Sequence, residues 1–144
     1  MRIVVQRVSK ACVSVDNQVV GSIDEGLMLL VGFTQDDTLE NIDYMVNKVL
    51  NLRIFPDENG VMNKSVKDTG GAILSISQFT LYGDTSKGNR PSYVKALNGE
   101  YAIKLYDKFN EKLKEYVLVE TGVFGADMQV SLVNMGPTTI ILEK

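Results

Sequence analysis

Apolar and polar residues alternate with a period of two along much of the chain, which is typical of β-strands with one buried face. The pattern predicts strands over residues 2–8, 11–15, 18–23, 26–33, 72–82, 117–121 and 128–142. Asp16-Asn17 separates the second and third of these strands and suits a two-residue hairpin turn. Residues 26–33 are almost continuously apolar, which indicates a strand buried on both faces.

Two longer stretches have the spacing of amphipathic helices. The first follows Asp37 and Glu40, a pair typical of a helix cap, and continues to about residue 51. The second covers residues 92–116, with a break near Asn98-Gly99. Its apolar stripe, interpreted as core, consists of Tyr101, Leu105, Phe109 and Leu113.

The order of these elements predicts an α+β fold, in which a mixed, largely antiparallel β-sheet packs against two main helices. No repeat, low-complexity tract or linker divides the chain, so residues 1–144 are predicted to form a single domain.

Charge limits the kinds of partner that the chain is expected to bind. With 15 basic and 18 acidic side chains, the net charge is −3. This balance argues against charge-driven binding along nucleic acid, but a local patch could still hold a short single-stranded end. The basic residues form two clusters, each of which alone is more typical of solvated surface. These clusters are Arg2, Arg7 and Lys10, and Lys87, Arg90 and Lys95.

The chain contains no histidine, and Cys12 is its only cysteine. These absences exclude Ser-His-Asp and Cys-His triads, His-ligated metals and disulfides within the chain. We therefore expect no metal and no cofactor, and we interpret Cys12 as a small core residue rather than a nucleophile. No apolar run approaches the roughly 20 residues that span a bilayer, and the first residues lack the features of a signal peptide. We expect a cytoplasmic protein that does not enter membranes.

One strand end carries more polar residues than a purely structural strand requires. Ser77, Gln78 and Thr80 follow an otherwise apolar run and precede a polar, glycine-bearing loop over residues 83–91. Polar groups in such a place must form hydrogen bonds within the protein, contact water or bind a ligand. A strand that leads into a loop is also a good position for a functional site. A strand with one ordinary solvated face is the competing interpretation.

Gly136-Pro137 interrupts the last predicted strand, because proline has no N–H group to donate to a sheet. A tight turn between two strands would explain this pair. The residues alone favour the turn over the alternative, a segment that presents backbone carbonyls to a ligand, and the sequence does not specify the isomer of the bond.

Four motifs, taken together, resemble the D-aminoacyl-tRNA deacylase family, and the resemblance extends from Met1–Val8 to the C-terminus. The motifs are Ser77–Thr80, Gly88–Ser92, Thr121–Met128 and Asn134–Thr138. Two positions depart from the family pattern. Met135 stands where family members usually have Asp, and Thr138 stands where they usually have Val.

The resemblance implies a homodimer that hydrolyses the ester joining a D-amino acid to the terminal adenosine of tRNA. It implies a cis Gly136-Pro137 bond that inserts into the partner subunit's site and rejects L-amino acids with its carbonyls. An achiral glycyl ester would pass this filter. Arg7 would brace the incoming segment, and Asn134 would support it. The implied partners are the 3′ end of an aminoacylated tRNA and a second copy of the chain.

The catalytic positions implied by the resemblance are Ser77, Gln78, Phe79 and Thr80. Backbone N–H groups around Phe79 and Thr80 would hold the ester carbonyl oxygen, and Gln78 would orient the substrate or the site backbone. The 2′-hydroxyl of the terminal ribose would then help water to attack. Thr80 as a covalent nucleophile is a weaker alternative, because no residue type here obviously deprotonates it.

Two other functions compete with this one. The chain could be a non-enzymatic dimer that holds an unpaired 3′ end of nucleic acid, or a hydrolase of small D-amino-acid esters with no requirement for tRNA. The acidic charge balance slightly favours the small-ester hydrolase, and the whole-length resemblance favours the deacylase.

Overall fold

The chain folds into eight strands and three helices, which a computed structural model describes over residues 1–144. The elements in order are β1 (Arg2–Val15), β2 (Gln18–Ile23), β3 (Gly26–Gly32), α1 (Leu39–Asn51), β4 (Phe55–Pro56), β5 (Met62–Lys64), α2 (Val66–Thr69), β6 (Ala72–Ser77), a 3-10 turn (Phe79–Tyr82), α3 (Gly99–Lys114), β7 (Val119–Thr121) and β8 (Gln129–Glu143). The predicted α+β class is confirmed.

The main sheet has the order β2-β1-β3-β6-β7, and β8 also pairs with β1. The β3–β6 and β6–β7 pairs are parallel, whereas β1 is antiparallel to each of its three neighbours. The first half of β1 pairs with β3, and its second half pairs with β2, so the sheet curls and nearly closes on itself. A Cβ atom at Gly21 would lie 2.7 Å from the carbonyl oxygen of Thr121, which shows how closely β2 approaches β7.

Two apolar clusters pack on opposite faces of this curled sheet. The larger contains 21 buried residues and joins β3 and the start of β1 to α1 and α3. The smaller contains seven buried residues and fills the inside of the curl. Leu27 and Leu29 of β3 belong to the larger cluster and Met28 to the smaller one, so the predicted burial of this strand on both faces is confirmed.

Three predicted strand boundaries were wrong. The first two predicted strands form one continuous β1, because Ser9 bulges out and lets the strand bend without ending. β6 ends at Ser77 rather than at residue 82, where the chain turns into the 3-10 segment. β7 starts at Val119 rather than at residue 117. The last strand, β8, is one element within a residue of the predicted range 128–142, although four of its residues around Gly136-Pro137 leave the ladder with β1.

Both predicted helix starts were also wrong. Thr38, not Asp37, caps α1, and its N–H donates to Asn41 Oδ1 at 3.0 Å. The Asp37 carboxylate instead accepts hydrogen bonds from the N-terminal ammonium group and from the Thr34 N–H. Asn98 caps α3 through a 2.9 Å bond from Glu100 N–H, so the predicted break is the true start of the helix.

The buried face of α3 also differs from the predicted stripe. Phe109 and Leu113 are buried as predicted, but Tyr101 is 60% exposed and Leu105 only partly buried. Tyr106 takes the place predicted for Tyr101 in the core. Cys12 is half-buried beside a surface groove rather than fully in the core. None of the helices combines the length and the apolar character that crossing a membrane would require.

Candidate active site

A groove of about 540 Å³ opens where β3 and β6 end. The two strands run parallel, so their carboxyl ends meet at one edge of the sheet, where ligands commonly bind. The lining residues are Val31, Gly32, Phe33, Ile76, Ser77, Gln78, Phe79, Leu97, Gly99, Ala102, Phe124, Gly125, Ala126, Asp127, Met128 and Val130. Parts of two predicted motifs that are far apart in sequence, Ser77–Thr80 and Thr121–Met128, therefore line one groove.

The backbone at Gln78 changes from strand to turn at the edge of this groove. Gln78 N–H donates to Val31 O at 2.7 Å, which prolongs the parallel ladder by one bond. The 3-10 turn then starts with a 3.3 Å bond from Leu81 N–H to Gln78 O. Phe79 and Thr80 come before Leu81, the first donor of the turn, so their N–H groups have no partner within it. The turn thus has two adjacent backbone donors without a backbone partner, and the first of them, Phe79, lines the groove.

The predicted catalytic side chains do not all point to the same place. Ser77, Gln78 and Phe79 line the groove, whereas Thr80 does not. Gln78 Nε2 donates to the Thr80 hydroxyl oxygen. An amide is not a base in either of its orientations, so this contact cannot take the proton of Thr80. No lysine or carboxylate forms a hydrogen bond with Thr80 either.

The segment from Phe124 to Met128 forms the opposite wall of the groove. Asp127 is the single ionisable side chain that lines the groove. Sequence reasoning did not select Asp127 as a site residue, although it lies within the third of the four motifs. A lone carboxylate among apolar and glycine residues after a strand was the available signal.

Tyr106 links the two walls of the groove from below. Its hydroxyl donates to Ser75 O at 2.7 Å, and the N–H of Gly122 donates to the same carbonyl at 3.4 Å. The ring of Tyr106 packs 5.8 Å from that of Phe124. Burial raises the pKa of Tyr106, so its hydroxyl keeps its proton and remains a donor at neutral pH. The end of β6 and the opposite wall are thus held by one side chain.

Gly136-Pro137 lies outside this groove, on a bulge of β8. On β8, Thr139 pairs with Gln6 of β1 and Asn134 pairs with Val8. The four residues 135–138 therefore oppose a single residue of β1, Arg7. Gly136 and Pro137 are exposed on this bulge. The Gly136-Pro137 bond is cis, the isomer that the resemblance implied.

Arg7 is the residue of β1 that faces the bulge. It donates to Ile54 O at 2.6 Å and to Met135 O at 3.2 Å. Arg7 therefore contacts the bulge of its own chain. Asn134 accepts a 3.3 Å hydrogen bond from Gln6 at the base of the bulge. The predicted site residues thus form two groups within one subunit, one at the groove and one at the bulge.

Comparison with solved structures supports the fold and the assignment. A chain described as c-Myc DNA Unwinding Element Binding Protein is 42% identical, with a TM-score of 0.95 over 100% of this chain and 99% of that chain. A probable eukaryotic D-amino acid tRNA deacylase is 19% identical and shares the fold, with a TM-score of 0.83 over 98% and 97% of the two chains.

A family model described as D-Tyr-tRNA(Tyr) deacylase matches residues 4–143, which include the groove and the bulge. Members of this family are hydrolases that act on the ester bond of aminoacyl-tRNA. The chain belongs to the D-Tyr-tRNA(Tyr) deacylase family.

Proposed function

We propose that this enzyme hydrolyses D-aminoacyl-tRNA in a site shared by two subunits, with the groove of one chain completed by the Gly136-Pro137 bulge of the other. The observation that carries the proposal is the separation of the two groups of site residues within one subunit. Gly136 and Pro137 are exposed and do not line the groove of their own chain, which leaves them free to serve a second copy.

Backbone carbonyls on the bulge would act as the chirality filter. Main-chain carbonyls can accept hydrogen bonds from the α-amino group of a D-amino acid whose side chain points away from them. The Cβ atom of the L isomer would collide with the same backbone. Because this filter ignores the identity of the side chain, one site would accept many D-amino acids, and glycine would also pass.

The groove would supply the stabilisation of the transition state. The free N–H groups of Phe79 and Thr80 are suited to bind the oxyanion that forms when water attacks the ester carbonyl. An aminoacyl ester is already activated, so positioning and oxyanion binding matter more than a strong base. The 2′-hydroxyl next to the ester would help to activate water, and Gln78 would hold the turn in place through Thr80.

A comparison of D-Tyr-tRNA with D-Tyr ethyl ester tests the substrate class. We expect rapid loss of the ester from the tRNA and little loss from the ethyl ester, which lacks both the ribose and its 2′-hydroxyl. Equal efficiency on both substrates would favour a hydrolase of small D-amino-acid esters.

Binding of unpaired nucleic acid without hydrolysis is the second candidate function. It is favoured by one observation, the description of the 42% identical relative as a protein that binds a DNA unwinding element. Tight binding of D-Tyr-tRNA with the ester intact would support this candidate and contradict the proposed function.

The shared site predicts a homodimer in solution. Light scattering at micromolar concentration should give about twice the chain mass of 15.9 kDa. The measurement should be paired with an activity assay at the same concentration. A monomer with full activity and full selectivity for D substrates would contradict the shared site.

Thr80→Ala should keep most of the deacylation rate, falling by less than about 10-fold. The variant keeps the backbone N–H of residue 80, and it removes a hydroxyl that contacts only the Gln78 amide. Removal of a true nucleophile costs far more, on the order of 10⁶-fold in a serine hydrolase. Single-turnover hydrolysis of D-Tyr-tRNA measures this difference. A fall to the uncatalysed rate with retained binding would identify Thr80 as the nucleophile.

A further inference from the structure

We propose that a rim beside the groove binds the unpaired nucleotides that precede the esterified adenosine of tRNA. The rim consists of the aromatic pair Phe79 and Tyr93 and the loop from Asp84 to Ser92. The proposal deepens the proposed function and rests on it, because it assumes that the groove holds the esterified end.

Both members of the aromatic pair are exposed. The Phe79 side chain is 57% exposed at the groove, and Tyr93 is 40% exposed. Their ring centroids lie 5.1 Å apart with an interplanar angle of 68°. This edge-to-face contact covers at most one face of one ring, so flat ring surface remains open. Proteins that bind single-stranded nucleic acid commonly stack its bases on open aromatic faces and hold its phosphates with positive charge.

The loop next to Tyr93 adds positive charge to an acidic protein. Between Thr85 and Gly99 there are three basic residues and no acidic one, although the whole chain carries −3. Lys95 is paired with Asp84 at 3.3 Å, whereas Lys87 and Arg90 are exposed and form no salt bridge. Two unpaired cations beside an aromatic pair suit phosphates that alternate with bases.

The loop is fixed at its base rather than loose. The backbone groups of Asp84 and Ser92 exchange two hydrogen bonds, of 2.8 and 2.9 Å, and Ser86 N–H donates to the Asp84 carboxylate at 2.9 Å. Hydrogen bonds from Ser86, followed by that from Lys95, lower the pKa of Asp84 to about 2. Asp84 therefore stays ionised at neutral pH, and its contacts with the loop are retained there.

The segment after the loop ties the rim to the groove. Thr34 donates to Lys95 O at 2.7 Å, and Leu97 N–H donates to Phe33 O at 3.0 Å. Phe33 and Leu97 both line the groove. A strand of RNA whose last nucleotide occupies the groove would thus meet Tyr93 and the two cations at a fixed position.

The test compares two substrates that differ only in these preceding nucleotides. D-Tyr-tRNA carries them, whereas adenosine esterified with D-tyrosine does not. The measured quantity is the ratio of kcat/KM for D-Tyr-tRNA to kcat/KM for the adenosine ester. This ratio should fall about 10-fold in Tyr93→Ala, and also in the double variant Lys87→Ala with Arg90→Ala. The double variant should also weaken the salt dependence of KM for tRNA. The matched controls are Tyr116→Ala and the double variant Lys104→Ala with Lys114→Ala, which remove one tyrosine ring and two positive charges from exposed positions elsewhere.

An unchanged ratio in both rim variants would overturn the proposal, and so would an equal loss in the control variants. If the wild-type enzyme hydrolysed neither ester, the proposed function would fail and this proposal with it. Failure of the rim alone, with wild-type hydrolysis intact, is therefore a distinct result.

Discussion

Gly136→Ala should reduce hydrolysis of D-Tyr-tRNA by about 100-fold or more while leaving the subunit folded. Within its own chain, a Cβ atom at this position would meet nothing nearer than the Asn134 amide nitrogen, at 4.0 Å. The residue is exposed and does not have a positive φ angle, so the subunit itself accepts alanine there. The new methyl group can therefore act only on what faces the bulge. In the proposed dimer this is the substrate in the partner's groove.

Thermal unfolding and light scattering provide the controls for Gly136→Ala, and both should match the wild-type enzyme. Met135→Ala is the neighbouring control, because it shortens a 46% exposed side chain and leaves the main-chain carbonyls in place. We expect Met135→Ala to keep most of the activity. Full activity of Gly136→Ala on D-Tyr-tRNA, with L-Tyr-tRNA still rejected, would exclude the bulge as the filter.

Replacement of the terminal 2′-hydroxyl of D-Tyr-tRNA by hydrogen should reduce catalysis by about 100-fold or more, well beyond the effect of Thr80→Ala. The chain has no histidine, and Thr80 contacts only an amide. The substrate hydroxyl next to the ester is therefore the best-placed group to assist the attacking water. Because the 2′-deoxy ester also has its own spontaneous rate, the measured quantity is the acceleration by the enzyme over that rate.

Asp127→Asn is the matched protein control for the 2′-deoxy substrate. It removes the single ionisable group that lines the groove while keeping its size. We expect the variant to retain most of the catalysis of the normal substrate. If Asp127→Asn lost its activity and the 2′-deoxy substrate reacted normally, the carboxylate and not the substrate hydroxyl would be the base.

The elements predicted well from sequence are those that local chemistry specifies. Asp16-Asn17 was predicted as a hairpin turn, and both residues have the positive φ angles, 50° and 63°, that such a turn requires. β3 was predicted from its apolar run, and the groove does open at the strand end where Ser77 and Gln78 interrupt apolar sequence.

The errors lie where distant contacts override local pattern. Asp37 has a side chain suited to a helix cap, but its contact with the N-terminal ammonium group leaves that role to Thr38. Residues 79–82 have strand-like composition, yet the ladder ends once Gln78 has bonded to Val31. Likewise, no periodicity could reveal that Arg7 opposes a bulge of four residues, because that register depends on pairing between the two ends of the chain.

Initial rates of ester loss from D-Tyr-tRNA and L-Tyr-tRNA, prepared on the same tRNA, test whether the enzyme selects D-amino acids. We predict rapid loss of the D ester and an L ester that decays at its spontaneous rate, because only the L isomer collides with the backbone filter. Equal hydrolysis of the two esters, or faster loss of the L ester, would contradict the backbone filter.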